Sequence, residues 1–267
     1  MGRNISSAAK SPVKKFVEYK GGDGRFEYYD KEEKKRFPIS LPARFIVLDD
    51  KRITVTGFND DSNSGIYSNE VGNISKPLRV RVHKGGTLAE GPWEKIKDKV
   101  TSKSAGGRFC KPVYGIMKTE VSEEHPDGFE YVCFKFDGAA IGAWFDFQGQ
   151  TNLMNYAVEI ADEFVPAKKG GVNYNIPVFR AVKLTPESEA IADKMADPLE
   201  EYFKGYDSRG IEEDSVGEPE TNGQASTFDG FSRETPSGKE KPETGSTMVE
   251  TPDGFRKPGF EADDLPF

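Results

Sequence analysis

The chain has 267 residues, with 37 Lys and Arg against 45 Asp and Glu, for a formal net charge of −8. That total hides a division. Residues 1–205 carry 31 basic and 30 acidic groups, residues 206–267 carry 6 and 15, and the first 120 residues carry 24 and 15. An acidic chain argues against nucleic acid as a partner, but here the segment able to fold is not acidic, so the exclusion fails. The longest apolar runs, Phe45–Leu48 and Ala139–Ala143, are too short to span a bilayer, and MGRNISSAAK contains no apolar stretch of a secretory signal. Cys110 and Cys133 stand alone, so neither a disulfide framework nor a paired-cysteine metal site is expected, and the expected compartment is a reducing cytoplasm.

Strand-like segments dominate up to about residue 136. Arg25–Tyr29 leads into Lys31 and the run Lys34-Lys35-Arg36-Phe37. Arg44–Leu48 and Lys51–Phe58 are predicted strands, joined by a hairpin turn at Asp49-Asp50. In the second, Ile53 and Val55 share one face while Arg52, Thr54, Thr56 and Phe58 share the other. After the polar loop Asn59–Asn63 comes Tyr67. In Leu78–His83 the residues Leu78, Val80 and Val82 point one way, and Arg79, Arg81 and His83 the other. The glycine-rich segments Lys84–Thr87 and Ser104–Gly107 fit no phosphate-binding motif and are expected to be flexible loops beside the sheet. Pro92–Val100 is a predicted short helix anchored by Trp93, Ile96 and Val100. Gly128–Phe136 is a strand with Val132, Phe134 and Phe136 inward. Thr151–Phe164 is a predicted helix capped by Thr151, with a stripe of Leu153, Ala157, Ile160 and Phe164. Tyr174–Leu184, containing Pro177, is an edge or bulged strand. Thr185-Pro186 starts a last helix, Asp197-Pro198 restarts it, and Gly205 ends it.

Beyond that helix the composition changes. Of the last 62 residues only 7 are Ala, Val, Ile, Leu or Met, and 15 are acidic. Such a segment buries too little apolar surface to offset its ordering entropy, so 206–267 is expected to be a disordered acidic tail after a folded unit at 1–205.

The chemistry legible in the folded unit is cationic and aromatic. Single-strand binding needs cations that follow phosphates and flat rings that stack on any base. The candidate contacts are Tyr28, Tyr29, Lys34, Lys35, Arg36, Arg44, Arg52, Phe58, Tyr67, Arg79, Arg81, Lys84, Lys103, Arg108, Phe109, Lys111 and Tyr114. Taken one at a time, each ring is better explained by the core, and the reading rests on several lying beside clustered charge. No catalytic constellation stands out: the only histidines are His83 and His125, and Asp49/Asp50 and Asp60/Asp61 read as turn residues. No cofactor, metal or enzymatic activity is expected.

The chain closes on Asp263-Asp264-Leu265-Pro266-Phe267. An acidic cluster, an apolar residue, a stiffening proline and a terminal Phe make a compact docking peptide for a basic-rimmed pocket. These five residues resemble the acidic C-terminal tip of bacterial single-stranded DNA-binding proteins, and some phage counterparts also end in an acidic stretch closed by Phe. The resemblance stops at the tip, and the chain length suits a phage-encoded type. It implies a tip that recruits replication and repair enzymes and competes with DNA for the protein's own basic groove. Together, the strands and the tip predict a β-rich α+β fold, an oligonucleotide-binding (OB) barrel with inserted loops and helices. The expected function is sequence-independent coating of single-stranded DNA in replication, recombination and repair. The alternatives are an interaction adaptor or polymerase modulator that binds no DNA itself, and an unrecognised nuclease or annealing enzyme. Oligomeric state stays open.

Overall fold

The computed structural model describes residues 10–208. Twelve strands and three helices follow in the order β1 (Lys15–Lys20), β2 (Arg25–Asp30), β3 (Lys35–Pro38), β4 (Ala43–Asp49), β5 (Thr54–Asn59), β6 (Ser64–Ser68), β7 (Leu78–Val82), β8 (Gly86–Gly91), α1 (Trp93–Val100), β9 (Gly107–Lys118), β10 (Phe129–Phe136), α2 (Gly138–Gln150), β11 (Tyr156–Lys169), β12 (Val172–Lys183) and α3 (Pro186–Ser208). The fold is β-rich α+β, as expected. Its strands form one mixed sheet, open at β3, β8 and β12.

The organising strand is β9. Along one edge it pairs with β10, which continues to β1, β2 and β3. The β1–β10 pair is parallel, with Val17 opposite Phe134; the other pairings are antiparallel. Along its other edge β9 meets two strands in succession. Phe45–Val47 of β4 lie opposite Met117–Gly115, and Thr54–Gly57 of β5 lie opposite Cys110–Gly107. Asp49-Asp50 is therefore not a hairpin turn. β4 and β5 run in the same direction along β9 as one interrupted strand, and the sheet forks there. β4 leads to β11 and β12, while β5 leads to β6, β7 and β8.

Burial explains the layers. Val17, Phe26, Phe45, Phe134, Phe136, Val158 and Ile160 meet α2 on one face, where Trp144 is fully buried and stacks 4.9 Å from Phe136. On the same side of β5–β8, α1 lays Trp93, Ile96 and Val100 against Val55, Ile66, Leu78, Val80 and Val82. On the opposite face α3 packs Ala192, Leu199 and Phe203 against Ile46, Tyr114, Ile116 and Cys133. The short helix at 93–100, the inward faces of β7 and β10, and the edge position of β12 agree with the sequence.

The segment 151–164 does not. Thr151 is the C-cap of α2, and the chain then runs as β11 between β4 and β12. Val158 and Ile160 face α2 while Ala157 faces α3, so apolar residues on both faces of a central strand mimicked a helical stripe. The helix lies one segment earlier, where Ala140, Ile141 and Trp144 give the helical spacing. At 185–208 there is one helix, not a restarted pair. The Thr185 hydroxyl accepts the Ser188 N–H at 3.2 Å as its cap, Pro198 sits inside, and the helix runs on to Ser208. Among the described residues no helix is long and apolar enough to cross a membrane.

Candidate nucleic-acid interface

The face of β5–β8 turned away from α1 carries no helix along most of its area, and strand register assembles a row across it. Arg108 of β9 pairs with Thr56 of β5, Thr56 with Tyr67 of β6, and Tyr67 with Arg81 of β7. Their chain neighbours Val55, Ile66, Val80, Val82 and Phe109 belong to the core beneath α1, so alternation turns all four row residues outward. At about 4.8 Å per strand the two guanidinium-bearing positions lie about 14 Å apart, with a hydroxyl and a phenol ring between them. Arg108 is exposed, Arg81 is half-buried, and among the described residues neither forms an ion pair within 4.0 Å. Phe58 shares this face and is paired with Gly65, which leaves no side chain beside it. Arg79 also shares it, with Nε 3.1 Å from Glu90. Exposed Lys84 and Lys103 stand on the turns flanking the row. Seven of the seventeen sequence candidates thus gather in one place: Phe58, Tyr67, Arg79, Arg81, Lys84, Lys103 and Arg108.

The loop at 104–107 is clamped rather than flexible. A Cβ on Gly106 would lie 2.0 Å from the Phe58 carbonyl oxygen, and one on Gly107 2.5 Å from Val100. Gly106 also has φ +77°, which side chains rarely tolerate. Asn59 Nδ2 donates to the Ser104 and Ala105 carbonyls at 3.0 and 3.1 Å, tying the 59–63 loop to this one. The frame of the row is therefore preset before any ligand arrives.

The remaining candidates fall elsewhere. Arg36 and Tyr29 are cross-strand partners at the far end of the sheet. There Arg36 lies 3.1 Å from both Glu18 and Glu27, and Lys20 and Arg25 also bind Glu27. Burial pushes the Glu18 carboxyl up, but Lys20, Lys135 and Arg36 outweigh it and hold the pKa below the ordinary carboxylate value. Tyr28 faces the α2 side, with Phe37 6.0 Å away and Lys15 Nζ 4.7 Å over its ring. Lys34 and Lys35 are exposed at the β2–β3 turn, and Arg44 donates to Glu159 at 2.6 Å.

Three candidates are buried and a fourth, Phe109, is half-buried in the core. Phe109 packs 5.1 Å from Trp93. Tyr114 is buried under α3 and donates its hydroxyl to Glu70 at 2.6 Å. Burial raises the Glu70 pKa, against the lowering effect of that bond. Lys111 is buried beside Asp49 and Asp50, and desolvation lowers its pKa despite both carboxylates. Arg52 is buried against α3 and bound by Asp207 at 3.1 and 3.2 Å. The physical reason is shared: each sits where a helix or a neighbouring strand covers the face that alternation assigns it.

Sequence reading passed over Thr56 as a contact and over Lys135, whose ammonium lies 5.2 Å over the Phe16 ring on the same sheet face as Glu18. Thr56 becomes visible only once the register is known. The tip residues Asp263, Asp264, Leu265, Pro266 and Phe267 lie outside the described residues. Cys110 and Cys133 are buried free thiols, and among the described residues no group of three or more His, Cys, Asp or Glu is placed to hold a metal. The chain matches no protein-family model, no curated protein and no solved structure.

Proposed function

We propose that the protein binds single-stranded nucleic acid, DNA in the first instance, without sequence preference, across the β5–β8 face. The observation that supports this is the row Arg108–Thr56–Tyr67–Arg81: two guanidinium groups, neither within 4.0 Å of a carboxylate among the described residues, flank a ring on a face that is free of helix over most of its area. Guanidinium groups meet phosphates, and a Tyr ring stacks on any base, so the row has the chemistry of strand tracking without base readout. The use of a sheet face with flanking loops is what an oligonucleotide-binding barrel also does, but the sheet here is open and does not close into the expected barrel. The acidic tip at 263–267 completes the reading: a phage-type protein of the host cytoplasm that coats single strands and recruits replication, recombination or repair partners through its end.

The test is a titration of the full chain with fluorescently labelled oligo-dT, read by anisotropy. Tryptophan fluorescence would report poorly, because Trp93 and Trp144 are both buried on the helix side of the sheet. Binding should weaken with salt, and Arg81→Ala with Arg108→Ala should flatten the logarithmic salt slope by about 1.4, or about 0.7 per lost phosphate contact. Absence of salt-sensitive binding at micromolar protein would favour the adaptor reading. Metal-dependent loss of the oligonucleotide would favour a nuclease.

A further inference from the structure

Arg52 lies on the same strand face as the row, two residues before Thr54 and four before Thr56. Its side chain is only 4 % exposed. The guanidinium lies 3.6 Å over the Phe203 ring, 5.7 Å from Tyr206, and takes both oxygens of Asp207. Its Nε is buried and has no hydrogen-bond partner among the described residues. The cover over this cation is the last turn of α3, and that turn is intrinsically weak. It contains Gly205, which favours the unwound chain. It carries Asp207 at the negative pole of the helix, where the last four residues, 205–208, hold no basic residue and Lys204 is bound back to Glu200. Its hold comes from tertiary contacts: Phe203 in the core, Tyr206 accepting the Glu70 N–H at 3.0 Å, and Asp207 against Arg52 and Lys76.

We infer that Arg52 is a concealed phosphate contact, and that the last turn of α3 is the latch that conceals it. A phosphate offers the same bidentate oxygen geometry as the Asp207 carboxylate, together with more charge. A strand leaving the row towards Thr54 reaches Arg52, displaces Asp207, and lets the turn 203–208 loosen. After Ser208 the chain continues into a segment with 6 basic and 14 acidic residues. Opening the latch therefore adds a cation to the face and loosens the anchor of an acidic segment in one movement. This rests on the strand-binding reading above and adds to it a site that is occupied by the protein's own carboxylate until nucleic acid replaces it.

Two measurements on the full chain test this. Asp207→Asn frees Arg52 in advance, so oligo-dT binding should tighten at low salt and its logarithmic salt slope should steepen by about 0.7, one added phosphate contact on a single strand. Asp193→Asn, an exposed carboxylate on the same helix, removes equal charge and should leave the slope unchanged. In the unmodified protein, amide hydrogen exchange at 203–208 should accelerate when oligo-dT is added. An unchanged or shallower slope in Asp207→Asn overturns the latch, as does an equal change in Asp193→Asn, or exchange at 203–208 that is unchanged or slowed. If the unmodified chain shows no salt-sensitive binding at all, the strand-binding reading falls and takes the latch with it. If it binds and the latch tests fail, only the latch falls.

Discussion

The two ends of the sheet are built from the same residue types and end in opposite electrostatic states. At β1–β3, Lys20, Arg25 and Arg36 gather around Glu18 and Glu27, some along one strand and some across strands, and every one of these cations lies within 4.0 Å of a carboxylate. At β5–β9, Arg81 and Arg108 pair in register with Tyr67 and Thr56, which cannot neutralise them. Basic residues near aromatics do not by themselves make an anion-binding surface. What matters is whether a carboxylate stands within reach on the same part of the sheet, along the strand or diagonally across it: Arg36 sits opposite Tyr29 and is still neutralised by Glu18 and Glu27.

The largest way to break the comparison is to unsettle the frame of the open end. Gly106→Ala places a Cβ 2.0 Å from the Phe58 carbonyl at a positive φ, and should cost upward of about 2 kcal/mol through strain and overpacking. A denaturation midpoint equal to that of the unmodified protein would mean that the 104–107 loop yields instead. Next, Tyr67→Ala should weaken oligo-dT binding by about 1–3 kcal/mol while Tyr67→Phe, which keeps the ring, changes it little. Equal losses in both variants would remove Tyr67 as a stacking platform. At the paired end, Arg36→Ala should leave oligo-dT affinity unchanged and cost about 1 kcal/mol or somewhat more of stability, since Glu18 is part-exposed while buried Glu27 keeps Lys20 and Arg25. A loss of affinity matching that of Arg81→Ala would erase the distinction between the two ends.

The smallest expected effect is a pH dependence at the paired end. The Glu18 pKa is depressed in the folded protein, so its contribution to stability is present above its unfolded value of about 4.3 and is lost as the pH falls through the lower folded value. Glu18→Gln should flatten that acid limb of the stability profile, and an unaltered limb would assign it to other carboxylates.

Strands with one buried face were legible in the sequence: the alternation in Leu78–Val82 gives the inward residues and the outward arginines correctly. β11 is not legible in the same way, because Ala157, Val158 and Ile160 are apolar on both faces and give a helix-like spacing, while the helix at 138–150 shows in the sequence only as the apolar run Ala139–Ala143. The site was half legible for a related reason. Composition marks Arg81, Tyr67 and Arg108, but 41 residues separate Tyr67 from Arg108, and only the pairing of β5, β6, β7 and β9 brings them into one row. Arg52, Lys111 and Tyr114 were misleading because the covering elements arrive from far along the chain: for Arg52, a partner 155 residues away.

The fork at β9 gives most of the candidate site, all of the row but Arg108, a measure of independence. The segment from Thr54 to Gly107 leaves the main sheet and returns to it at hydrogen-bonding distance, with Thr54 opposite Cys110 and Gly57 opposite Gly107. Between those points it carries its own helix and its own apolar core. In architectural terms it is a cassette whose two ends meet. A host sheet could accept it at a single strand boundary, and lineages of this protein could lengthen, shorten or exchange it without rethreading the rest of the chain.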